Sequence, residues 1–283
     1  MLMLQNKQMN DHAVVATVEV KKYLFEDERQ MKSSLQVATE MPISFVYGGL
    51  PYAVMMATPA DLEDFVYGFS LTEGVIRSVA DIRSLQIVPL QESITVEIAL
   101  ASDQFKAHLA KRRMMSGRTA CGLCGVENIA DLPIAQAMQQ VGPVILPASI
   151  HRALKSLEAS QSLNRLTRSV HGVAWCDLTG QIVVVREDVG RHNALDKTIG
   201  HLLRERIDPK SGFFVITSRA SFEMIEKAAL FGAQTVVAVS APTSLAIRRA
   251  EALGVRLVAI ARLDSMIEFT SGFNKTVESS SNE

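Results

Sequence analysis

The chain has 283 residues, enough for one large domain or two modest ones with ample core. Its 29 Lys and Arg against 30 Asp and Glu leave a formal net charge of -1, which excludes nucleic-acid binding driven by overall charge and makes any anion site local. Three cysteines, an odd count, make no disulfide framework, Met1–Asn10 lacks the apolar core of a signal peptide, and no apolar run nears the ~20 residues that cross a bilayer. The expectation is a cytoplasmic protein with reduced thiols, no membrane segment and no nucleic-acid partner.

Residues 14–20 and 35–40 have strand composition. Ile43–Tyr47 and Tyr52–Ala57 read as two further strands turned by Gly48-Gly49-Leu50-Pro51. Thr58-Pro59 reads as an N-cap followed by a first-turn proline. In the helix that follows, Leu62, Phe65, Val66 and Phe69 share one face and should lie on the strands, which makes Phe65 and Phe69 core rather than a ligand box. Leu85–Leu90 and Ile94–Leu100 resemble another hairpin. Residues 14–115 thus read as a smaller, mixed α+β domain.

Next comes the stretch Arg112-Arg113-Met114-Met115-Ser116-Gly117-Arg118-Thr119-Ala120-Cys121-Gly122-Leu123-Cys124-Gly125-Val126-Glu127-Asn128. Its glycines release the backbone, so 116–128 is expected to be a mobile loop. Arg112, Arg113 and Arg118 favour thiolate at nearby Cys121 and Cys124. A structural zinc site would need further ligands, yet only Cys176 remains and the histidines form no second ligand pair. A thioredoxin-type pair would sit between a strand and a helix, unlike these glycine- and arginine-rich flanks. Two inert thiols would seldom occupy so polar a setting. Sulfur carriage as a persulfide fits best.

Pro133, Pro143 and Pro147 punctuate a linker over 129–148. Beyond it, Ile150–Leu163 reads as a helix, and Val173–Cys176 and Ile182–Arg186 as strands of a hairpin. Leu195, Ile199, Leu202 and Leu203 form a buried helical stripe. Strands Phe213–Thr217, Thr235–Val239 and Arg256–Ala261 then alternate with helices Phe222–Phe231 and Leu245–Leu253, each stopped by a glycine, Gly232 and Gly254. Continuous apolar strands between helices imply parallel pairing in a three-layer α/β/α domain over 149–270, ahead of a polar tail at 271–283.

In such a sheet ligands collect beyond the carboxyl ends of the strands. Three segments fall there. In the first, Asp188 is a candidate acceptor for a guanine edge, while Arg191 and His192 suit phosphate; the competing reading is a solvated, ion-paired turn. In the second, Thr217-Ser218-Arg219-Ala220-Ser221, hydroxyls and an arginine at a helix start make an anion site, or Ser218 or Ser221 merely caps the helix. The third is Ile260-Ala261-Arg262-Leu263-Asp264-Ser265. His171 and Trp175 read as structural.

Three motifs in this order resemble one family: Gly117–Glu127, Glu187–Lys197 and Ser218–Met224, with Phe69-Ser70-Leu71-Thr72-Glu73-Gly74 in the first half. It is the formate dehydrogenase accessory sulfurtransferase family (FdhD family). The resemblance implies a C-terminal cytidine-deaminase-like domain, although the deaminase zinc signature is absent and no tightly held metal is expected. It also implies a sulfurtransferase that takes persulfide sulfur from a cysteine desulfurase. The sulfur passes to the molybdenum (or tungsten) bis-guanine-dinucleotide cofactor of formate dehydrogenase, held as a bound substrate. Cys121 matches the persulfide carrier, Cys124 the second thiol of the loop, and Ile260 to Ser265 the cofactor-binding loop. The chain reads Ala259-Ile260-Ala261-Arg262 where the family more usually has Gly-Phe-x-Arg. A homodimer is implied too. The alternative is a non-catalytic chaperone that carries and inserts the cofactor.

Overall fold

The structure is a computed structural model that describes residues 13–25, 29–101, 134–138 and 142–270. The predicted loop 116–128, the tail 271–283 and parts of the linker 129–148 lie outside the described residues.

The chain opens with a two-stranded antiparallel hairpin, β1 (Val15–Leu24) and β2 (Arg29–Ala38). A four-stranded sheet follows, built from β3 (Met41–Tyr47), β4 (Leu50–Ala57), β5 (Ile82–Pro89) and β6 (Ile94–Leu100) in the order β4-β3-β6-β5. Period-two burial sets its inner face: Ile43, Phe45 and Tyr47 are buried while Pro42, Ser44 and Val46 are only half-buried. Helix α1 (Leu62–Thr72) covers that face with Phe65, Val66 and Phe69, as their spacing predicts. Phe45 meets Phe65 edge-on at 5.2 Å between centroids.

The second half begins with α2 (Pro147–Ser160) and α3 (Ser162–Thr167). Then come β7 (His171–Asp177), β8 (Ile182–Asp188), α4 (Arg191–Arg204), β9 (Gly212–Ile216) and α5 (Phe222–Phe231). The described chain closes with β10 (Thr235–Ala238), α6 (Ser244–Leu253), β11 (Arg256–Ala259) and β12 (Ile267–Thr270). The strands form one sheet in the order β12-β11-β10-β9-β7-β8. Alternate residues of each strand enter different cores. Phe214, Ile216, Val236 and Leu257 pack with α4, α5 and α6, whereas Phe213, Val215, Val237 and Val258 pack with α2. That is the three-layer α/β/α arrangement.

Four details differ from the sequence reading. In this sheet β9, β10 and β11 pair in parallel and β7 and β8 form a hairpin, both as expected, but β7 also runs antiparallel to β9, so the sheet is mixed. Helices on both faces bury a strand whatever its direction, so continuous apolar character does not distinguish the two. The expected single helix 150–163 breaks at Gln161, which is 5% exposed because its side chain lies where a Cβ on Gly172 would be, 2.4 Å from Nε2. Glu187 then accepts the N–H groups of Leu163 and Asn164, both at 2.8 Å, and so caps α3. Strand β12 is an addition held by Thr270, whose Oγ1 accepts from Leu257 N at 2.8 Å and donates to Val255 O.

The fourth difference is at Thr58, which does not cap α1. The helix starts after Asp61, in the left-handed region at φ 52°, because every polar group of Thr58 bonds to the second half of the chain. Its N–H donates to Asp188 Oδ2 at 3.0 Å, its Oγ1 accepts from Val189 N at 3.2 Å, and its carbonyl accepts from Lys197 Nζ at 2.8 Å.

This contact belongs to a broad joint between α1 and α4. The helices touch at two glycines. A Cβ on Gly68 would sit 1.7 Å from the Asp196 carbonyl oxygen, and one on Gly200 would sit 1.7 Å from that of Asp64. Charged groups flank the crossing. Asp64, buried, accepts from Arg186 at 2.9 and 2.7 Å and from Arg204 at 2.6 Å. Asp196, also buried, accepts from Thr72 Oγ1 at 2.8 Å and from Lys227 at 2.9 and 2.8 Å.

Candidate functional site

Topology decides which residues meet. The parallel strands β9, β10 and β11 all end on one edge, so the loops 217–221, 239–243 and 260–266 lie together there. Antiparallel pairing brings two further segments to the same edge: Val173 is opposite Ile216, and His171 is opposite Asp188. The start of β7 and the end of β8 therefore join the cluster. Backbone bonds link the loops into one rim. Thr217 N donates to Gly172 O at 3.0 Å, Thr243 N to Ala220 O at 3.0 Å, and Ile260 N to Ser240 O at 3.2 Å.

Most of the predicted residues do come together on this rim. Arg191 and His192 open α4. His192 Nε2 lies 2.6 Å from Glu223 Oε2, and Arg191 Nη2 lies 4.0 Å from the same oxygen. The His192 contact holds the Glu223 carboxyl below its usual range, against the opposing pull of partial burial. His171 stays below the ordinary histidine range because it is half-buried and faces the Arg191 charge. Arg219, Arg262, Leu263, Asp264 and Ser265 are exposed. Arg191 Nε and Ser221 Oγ on this rim are among the buried side-chain atoms that have no hydrogen-bond partner within the described residues. Ser221 stands at the N-cap position of α5 yet makes no cap bond, so its hydroxyl and the first N–H groups of that helix are left for a ligand.

Three predicted residues are placed differently. Asp188 is a correction: it is 0% exposed, and its carboxylate accepts from Thr58 N, Gly190 N and Asn193 Nδ2 while pairing with Lys197 at 2.6 Å. With all of its acceptor capacity used inside the joint, it has none to offer a guanine edge. Ala261 is buried in the α2-side core, so that position presents backbone alone, and its N–H already donates to Ala238 O at 3.0 Å. Ser218 is buried, and its hydroxyl donates to Arg219 O at 3.2 Å. Ile260 adopts φ 51°, a left-handed conformation that costs a β-branched residue about 1–2 kcal/mol, and it turns the chain out of β11 into the exposed Arg262–Ser265 segment.

Sequence reasoning did not assign His171, Glu223 or the loop 239–243 to the site: His171 read as structural, Glu223 lay within the Ser218–Met224 motif without a role, and 239–243 belongs to no motif. Their membership follows from strand order.

The model of the FdhD/NarQ family matches residues 38–274. This chain belongs to the FdhD/NarQ family. It is 46% identical over 228 residues to a protein named sulfur carrier protein FdhD from Bordetella petrii, covering 80% of this chain and 82% of that one. A protein of the same name from Xanthomonas axonopodis pv. citri is 47% identical over 227 residues, covering 80% of each chain. Among solved structures, a candidate formate dehydrogenase accessory protein from Desulfotalea psychrophila shares the fold, with a TM-score of 0.69 at 24% identity, covering 92% of this chain and 98% of that one.

The C-x-x-C pair, Cys121 and Cys124, lies outside the described residues. The third thiol, Cys176, is sealed between the sheet and α2 at 0% exposure, and burial pushes its pKa up to about 12. A thiol so far from ionisation is a poor nucleophile near neutral pH. Among the described residues, no three His, Cys, Asp or Glu side chains converge as a metal site, and no helix is long and apolar enough to cross a membrane.

Proposed function

We propose that this chain is a sulfur carrier in the maturation of formate dehydrogenase. In this reading Cys121 accepts sulfur from a cysteine desulfurase and delivers it to the molybdenum bis-guanine-dinucleotide cofactor. The observation that carries it is 46% identity, over four-fifths of the chain, to proteins named sulfur carriers, together with the Cys121-Gly122-Leu123-Cys124 motif. The inert state of Cys176 supports the assignment.

Chemically, the Cys121 thiolate attacks the outer sulfur of the donor persulfide. A new S–S bond forms on Cys121, and the donor's own thiolate leaves. Release as sulfide needs two electrons. Cys124 thiolate supplies them by attacking the Cys121 sulfur, which forms the Cys121–Cys124 disulfide and expels hydrosulfide; an external thiol then restores the pair. The rim would hold the cofactor as substrate. Arg191, His192, Arg219 and Arg262 suit its phosphates, and the helix N-termini with the Ser221 hydroxyl supply neutral donors. The cytoplasm, where thiols stay reduced, suits this chemistry, and a homodimer is part of the same reading.

Mass spectrometry after incubation with desulfurase and cysteine should show a gain of one sulfur on Cys121, retained in Cys176→Ser and lost in Cys121→Ser. A sulfur adduct on Cys176, or none on Cys121, would defeat the persulfide mechanism; the latter would leave a carrier of the cofactor alone. Calorimetry should detect GDP binding that Arg191→Gln weakens about tenfold or more, the scale of one lost charge-assisted hydrogen bond. No heat with GDP would remove the nucleotide from the rim.

A further inference from the structure

Residues 134–138 and 142–146, ahead of the α/β/α domain, form no helix or strand, so their backbone groups need partners from elsewhere. At Ala135 they come from two helices. Glu226 of α5 accepts the Ala135 N–H at 2.9 Å, and Arg249 of α6 donates to the Ala135 carbonyl at 2.8 Å. Glu226 and Arg249 also bond to one another, with Glu226 5% exposed. This ion pair sits in an otherwise apolar contact lined by Ile225, Ala229, Ala246 and Ala250, where hydrophobic residues of similar volume would be about as stable. Its distinct contribution is the grip on Ala135.

The grip has a direction. Helices α5 and α6 both start at the rim, because each follows a parallel strand, and Glu226 and Arg249 lie in their second turns. Met138 N donates to Leu253 O, at the far end of α6. Gly142 lies against Gln234, just before β10 starts, and Ile145 O accepts from Arg256, where β11 starts. Ala135, held at the middle of the two helices, thus lies nearer the rim than Met138, Gly142 and Ile145, which sit at the opposite ends of α6, β10 and β11.

We propose that Glu226 and Arg249 are positioning residues for sulfur delivery: by clamping Ala135 they make the cysteine-bearing stretch join the platform on the side of the rim. This rests on the sulfur-carrier reading above. Cys121 precedes Ala135 by 135 − 121 = 14 residues, which reach at most about 50 Å, so span does not limit delivery. Without the clamp the next fixed point is Met138, 138 − 121 = 17 residues away. That extra length alone lowers the effective concentration only ~1.3-fold. A larger loss would report the lost anchoring point and direction.

The test compares loading with delivery in Arg249→Ala and Glu226→Gln. The glutamine still has an oxygen to accept from Ala135 N–H, so this second variant guards against a simple failure to fold. Both should gain the Cys121 persulfide from desulfurase within about twofold of the parent, since loading is bimolecular, while formate dehydrogenase activation per loaded persulfide falls at least about fivefold in Arg249→Ala, which frees the Ala135 carbonyl, and by less in Glu226→Gln, which keeps the Ala135 N–H bond. Arg249→Lys should recover part of it. Folded variants that load and deliver with a loss no greater than ~1.3-fold would overturn the positioning role. A parent protein that never loads Cys121 would instead overturn the carrier reading.

Discussion

Replacing Lys197 with methionine is expected to lower stability by about 3–5 kcal/mol, measured as a shift of the urea unfolding midpoint. Both Lys197 and Asp188 are 0% exposed, 2.6 Å apart, in a joint that ties the first half of the chain to the second. Desolvating two charges is costly, and their mutual attraction offsets it only while both are present. Methionine fills much the same volume but leaves the Asp188 carboxylate buried without a counter-charge, and the Thr58 carbonyl loses one of its two donors, keeping only Ala60 N. The double variant Lys197→Met/Asp188→Leu should recover part of the loss, because it removes the isolated charge. A single substitution costing under about 1 kcal/mol would show that water reaches Asp188, against its place in the joint.

Changing Gly200 to alanine should destabilise the protein by about 3 kcal/mol or more, the upper end of overpacking costs, although alanine in mid-helix normally stabilises by about 0.5–1 kcal/mol. The sign reverses because the new methyl would lie 1.7 Å from the Asp64 carbonyl oxygen, and backbone cannot rotate aside as a side chain can. Helices α1 and α4 would have to separate along a face that also carries the Asp64 and Asp196 ion pairs. Since α4 begins with Arg191 and His192, GDP binding should weaken as well. An unchanged melting temperature in Gly200→Ala would refute the close crossing.

Much of this architecture is legible in the chain. Ile43, Phe45 and Tyr47 declare a strand with one buried face, because a period of two can bury only alternate residues. Gly232 and Gly254 stop their helices at φ 97° and 72°, where a side chain would be strained. The 260–265 segment and the Arg191-His192 pair reach the rim for the reason the sequence implies, since loops after parallel strands share one edge.

Other assignments had no local signature. Glu223 and His171 have no assigned role until strand order brings them together, and Asp188 looks like a ligand until Lys197, nine positions on, is found against it. What the sequence determined by itself was most of the helices and strands, though not β12 or the break at Gln161, together with the cysteine pair and the family, because periodicity, turn chemistry and motifs are properties of neighbouring residues. Only the tertiary structure decided which charges face a ligand and which hold the two halves together. A carboxylate's role depends on the donors that surround it in space, and those come from segments more than a hundred residues apart.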